Sequence, residues 1–257
     1  MGAVTRVFDL TLAAAKWPLA LAFLAVLPGV AIATWSVVGG LFEGGVVTVL
    51  NDAFMSLFGL ASGKSILGSD ESIAAFILGA GGYVLVWLAL FRRHFAGSFF
   101  STLEHELTHA VVALATFHPV SSTRATWNDG GSMSYSGGDN WLITIAPYFL
   151  PTLSIGLIIG LYGFLDSDTS WPAAVLGVTI AYHVTSTWLE THAQQTALQE
   201  VGFPFAFLFL PTANLLCYGL LITFSRKGLS GIEAFLDEAY TETAYILQLT
   251  LDSAANI

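Results

Sequence analysis

The chain has 257 residues, 55% of them hydrophobic and only 10% charged, with a mean hydropathy of +0.72. Soluble domains carry about 25% charged residues, so the composition argues against a soluble fold and for an integral membrane protein built as one bundle. A net charge of −10 with only eight Lys and Arg excludes a phosphate-tracking nucleic-acid surface, and the single cysteine, Cys217, excludes an internal disulfide.

Crossing a bilayer core takes about 20 apolar helical residues. Charge-free runs of that order cover 17–42, 72–91, 141–165, 169–189 and 201–225, and a sixth run, 95–117, is as long but carries Glu104, His105, Glu106 and His109. Its first run is too long for a cleaved leader. Tryptophans 17, 35, 87, 141, 171 and 188 stand near run ends, as in the aromatic belts of membrane spans. Six crossings with both termini in the cytoplasm put Arg6, Lys16, Arg92, Arg93, Arg226 and Lys227 inside and leave Lys64 and Arg124 outside, which satisfies the positive-inside bias. Residues 43–60 read as an interfacial helix or a re-entrant hairpin. Residues 119–138 read as a short β-hairpin turning at Asn128-Asp129-Gly130-Gly131. The fold expected is therefore an all-α polytopic membrane protein of about six transmembrane helices, spanning 1–228, with that hairpin inserted after the third. Pro147 and Pro151 should kink or loosen their helix. From 229 to 257 an amphipathic acidic helix is expected at the cytoplasmic surface, started by a Ser230/Glu233 capping box.

The chemistry concentrates in "FFSTLEHELTHAVVAL", residues 99–114. Histidines four apart share one helical face, so His105 and His109 can offer two imidazoles to one metal ion. Glu106, one step round, can act as general base on a metal-activated water, the logic of the H-E-x-x-H pattern with zinc. A carboxylate at mid-membrane costs about 2.5–3.5 kcal/mol on insertion scales, and a cation is the simplest offset. Glu104 points away from this face and reads as a partner for another helix or as a snorkelling group. A catalytic zinc takes three protein ligands. His183, near the middle of its run, is the first candidate for the third, its alternative being a buried histidine bonded to a hydroxyl or carbonyl. Glu190 and His192 are weaker candidates. His118 lies too close in sequence, and His94 reads as interfacial.

"HELTHAVVALAT", followed by a Gly/Ser-rich hairpin and then "NWLITIAPYFLPTLS", resembles the site-2-protease-like intramembrane zinc metalloproteases, and more narrowly their compact bacterial relatives, over residues 95–215. The resemblance implies a bacterial inner-membrane enzyme with zinc on His105 and His109 and with Glu106 as catalytic base. It also implies a transmembrane or membrane-anchored protein substrate that pairs with the hairpin's edge strand before cleavage. In one respect the chain departs from the family pattern. Where the family carries an aspartate ligand, in "QQTALQEVG", this chain has Ala197. Three readings follow: an active zinc endopeptidase with another third ligand, an inactive pseudoprotease that binds or regulates, or an ion- or proton-coupled transporter using buried Glu and His.

Overall fold

The structure is a computed structural model that describes residues 2–40, 70–89, 96–127, 130–161, 171–191 and 195–255. Segment 43–60, His94, Arg92, Arg93, Lys64, His192 and the Asn128-Asp129 turn lie outside the described residues. In chain order the elements are α1 (Ala3–Gly40), α2 (Asp70–Ala89), α3 (Ala96–Ala115), β1 (Val120–Ala125), β2 (Gly131–Tyr135) and α4 (Trp141–Ile145). After a 3-10 turn, Ala146–Tyr148, come α5 (Thr152–Leu161), α6 (Trp171–Glu190), α7 (Thr196–Val201) and α8 (Phe203–Ala255).

The chain is mostly helical. Among the described residues two helices are long and apolar enough to cross a membrane, α1 and the Phe203–Ser225 part of α8. The expected span at 141–165 is not straight: Trp141–Tyr148 and Thr152–Gly160 meet at 84°. Pro147 and Pro151 fall at this bend, and each lacks the N–H that would continue the helical ladder. Counting the bent pair as one gives up to three candidate spans by length and composition among the described residues, so the six expected from charge-free runs are not confirmed. The apolar part of α2, Ile73–Ala89, is shorter than a full span. Helices α3 and α6 have 20 residues each but interleave His, Glu, Thr and Ser with their apolar positions.

Helix α1 lies along α8, and α2 along α6. The second pair approaches closely through small residues: a Cβ on Gly79 would overlap the Ala174 carbonyl, and one on Gly177 the Phe76 carbonyl. Small residues at a crossing let dispersion contacts between backbones hold helices together where no hydrophobic driving force exists. One core gathers Val30, Ala33, Phe76, Leu176, Ile180, Leu221 and Phe235. A second gathers Ala20, Trp141, Ile145, Tyr148, Leu198, Phe205 and Phe209. Many large apolar side chains point outward instead, among them Leu21, Trp35, Leu85, Trp188 and Phe207.

The C-terminal segment is packed into the bundle. Helix α8 is interrupted at Gly228, whose φ of 60° and ψ of −141° break the helical path. The chain then folds back, so that Phe235 meets Gly219 and Gly231 meets Thr223. Phe235 and Ala239 enter the first core, whereas Leu236 and Tyr240 face outward. Ser230 does not make the expected capping bond, since its hydroxyl donates to the Lys227 carbonyl at 2.8 Å.

The hairpin forms as expected, a two-stranded antiparallel sheet pairing Val120 with Tyr135 and Ala125 with Gly131. Its entry is fixed at the end of α3. Phe117 takes a left-handed φ of 63°, and the His118 N–H returns to the Ala113 carbonyl at 2.7 Å, closing the helix. Asp9 of α1 sits under this junction, 3.0 Å from His118 Nε2, and accepts a hydrogen bond from Asn140 Nδ2 at 3.2 Å. Asn140 also caps α4, its side-chain oxygen accepting from the Leu142 and Ile143 amides. Trp141 Nε1 donates to the Leu12 carbonyl at 2.8 Å. The N-terminal part of α1 thus anchors the hairpin base and α4 together.

Candidate metal centre

His105 and His109 project from α3 with ring centroids 4.8 Å apart, as the four-residue spacing requires. Each ring is held through its Nδ1. His105 Nδ1 lies 2.8 Å from Glu190 Oε2, at the end of α6. An ionised carboxylate only accepts, so Nδ1 carries the proton. His109 Nδ1 lies 2.7 Å from the Ile143 carbonyl, and a carbonyl likewise only accepts. In the neutral rings both protons are then on Nδ1, and both Nε2 atoms keep a free lone pair. Tying one ring nitrogen to a carboxylate or carbonyl to prepare the other is how metal-binding histidines are oriented.

The two acceptors have sequence causes. The Ile143 carbonyl would meet the amide four residues on, but that residue is Pro147, which has no N–H. The proline therefore frees the acceptor that holds His109. Glu190 is steadied by α3, since Ser101 Oγ donates to Glu190 Oε1 and lies 3.1 Å from Ser186 Oγ.

A cavity of 410 Å³ opens at the two histidines and Glu106. Met133 and Tyr135 of the hairpin, Tyr148, and Ala197 and Glu200 of α7 share its lining. Strand β2 begins directly against Glu106: a Cβ on Gly131 would stand 2.7 Å from Glu106 Oε1. Burial raises the Tyr135 phenol above its usual range, so it remains a proton donor at neutral pH. Helix α7 is held in place by Lys16, whose Nζ donates to the Val201 carbonyl at 2.7 Å, the favoured site for a cation at a helix C-terminus.

Of the residues expected at the site, His105, Glu106 and His109 come together. His183 does not line their cavity. It is 2% exposed, 3.5 Å from Glu104 Oε1, with Thr187 Oγ1 3.4 Å from its Nε2. Ala197 does line the cavity, one helical turn from Glu200. Among the described residues no three His, Cys, Asp or Glu side chains stand close enough to hold a metal ion. The donor chemistry of the histidine pair fits zinc, and among the described residues a third protein donor is not in place. Sequence reading weighed Glu190 only as a ligand and passed over its role on His105. It also did not single out Tyr148 or the Ile143 carbonyl. Pro147, four residues after Ile143, was the available signal for the carbonyl. No family model, curated protein or solved structure matches the chain.

Proposed function

We propose that the chain is a membrane-embedded zinc endopeptidase that hydrolyses a peptide bond in or near a transmembrane segment of a protein substrate. The observation carrying this reading is the paired tethering of both Nδ1 atoms, which leaves two Nε2 donors beside a buried carboxylate in one cavity. His105 and His109 would hold the ion, and Glu200, which lines the same cavity, would supply a third donor only on moving closer to them than it stands here. When bound, zinc supplies Lewis acidity and a water of lowered pKa.

Glu106 takes a proton from the attacking water and returns it to the amide nitrogen as the C–N bond breaks. A peptide bond inside a membrane helix is shielded by its own hydrogen bonds. The substrate must be unwound first, and β2, which lines the cavity and pairs only with β1 among the described residues, offers replacement backbone partners along its other edge. The outward-facing apolar side chains support burial in lipid, with α2, α3 and α6 completing about six crossings and both termini in the cytoplasm.

The test uses detergent-purified protein and quenched fluorescent peptides that carry an apolar membrane segment. Wild type cuts them in a zinc-dependent way, and Glu106→Gln keeps its zinc and cuts none. Cleavage by Glu106→Gln at the wild-type rate would remove the base from the mechanism. Ala197 supports a second reading, a pseudoprotease, in which wild type binds such peptides and releases no product.

A further inference from the structure

Tyr148 sits at the end of the 3-10 turn, 1% exposed, with its ring edge-on to His105 at a centroid separation of 5.5 Å. Asn214 Nδ2 fixes it from behind, donating to its backbone carbonyl at 3.0 Å. Its hydroxyl has no hydrogen-bond partner among the described residues. Buried phenols ordinarily find one. Tyr148 is also the wall shared by two cavities. One is the 410 Å³ cavity of His105, Glu106 and His109. The other, of 480 Å³, is lined by apolar side chains such as Leu198, Phe203, Ala206 and Leu210, with Phe207, 79% exposed, at its outer rim. Tyr135 lines the first cavity too, but its ring stands edge-on to His118 at 5.3 Å rather than to His105.

Resting on the endopeptidase reading, we propose that the Tyr148 hydroxyl is a catalytic hydrogen-bond donor to the oxygen of the scissile carbonyl. A peptide passing between the cavities sets an apolar side chain into the larger one and its carbonyl at Tyr148. Water oxygen bonds to the carbonyl carbon while Glu106 takes the water proton. The C=O electron pair moves onto oxygen, where the Tyr148 O–H stabilises it. The C–N bond then breaks, the C=O re-forms, and Glu106 protonates the leaving nitrogen. A donor aimed at a developing oxyanion is worth about 10²–10³ in kcat.

The experiment measures zinc content, cleavage of the membrane-segment peptides, and affinity for a phosphinic peptide with a leucine-like side chain beside phosphorus, in wild type and Tyr148→Phe. The phosphinate mimics the tetrahedral oxyanion. Phe keeps the ring and its packing, and equal thermal melting of the two proteins checks this. The expected result is unchanged zinc, kcat reduced about 10²–10³-fold at similar KM, and phosphinate binding weakened to a matching degree. Zinc-loaded wild type that binds the phosphinate no more tightly than Tyr148→Phe, with equal kcat, overturns the role of Tyr148 alone. Wild type that holds no zinc overturns the endopeptidase reading and the Tyr148 proposal with it.

Discussion

Removing the Glu190 carboxylate tests how His105 is prepared. Glu190→Ala deletes the acceptor 2.8 Å from His105 Nδ1, and the ring can then move its proton to Nε2, the atom that would bind zinc in the proposed reading. Two routes give the size. Loss of a partner behind a metal-bound histidine costs about 10–100-fold in metal affinity, or about 1.4–2.8 kcal/mol. A hydrogen bond to a charged group is worth about 1.5–3 kcal/mol. The side chains are 18% and 24% exposed, so solvent screens the pair somewhat and favours the lower end. Zinc affinity should fall about tenfold, read by competition against a chromogenic chelator in detergent. Ser101→Ala should give part of the same loss, and the double variant little more than Glu190→Ala, because Ser101 acts through Glu190. A Glu190→Ala protein whose zinc Kd stays within about twofold of wild type would refute the orienting role.

Gly131→Ala should push Glu106 aside and lower kcat about tenfold or more while zinc content holds, since an added Cβ meets the Glu106 carboxylate. Unchanged kcat would show that the base is not held by β2. Ala197→Asp should tighten zinc binding and Glu200→Ala should weaken it, each measured by chelator competition, because both positions face the cavity. His183→Ala should leave zinc binding unaffected and instead lower thermal stability, because it opens space in place of a 2% exposed side chain and removes the imidazole nearest buried Glu104. Zinc loss in His183→Ala would return that histidine to the ligand set.

The parts of this protein that could be read from sequence are those set by local spacing. The HExxH residues meet because a helix returns to the same face every four residues, and the hairpin forms where turn residues join two short polar strands. The bend at Pro147 and Pro151 follows from two missing amides. What escaped depends on tertiary packing. Gly228 sends the C-terminal helix back into the bundle, and nothing near it in sequence shows that Phe235 will be received by Gly219. His183 sits at a depth suited to a ligand, yet α6 turns it toward Glu104 and brings Glu190, two turns on, to His105. Tyr148 stands in an apolar run, and only tertiary packing makes it line two cavities with a buried hydroxyl that has no partner among the described residues.

The central claim, that paired imidazoles on α3 hold a metal ion, is tested most directly by counting zinc in the detergent-purified protein beside His105→Ala and His109→Ala. The account predicts about one zinc per wild-type chain and loss of it in both variants. Wild type free of zinc after growth with the metal, or His109→Ala holding its full complement, would contradict it.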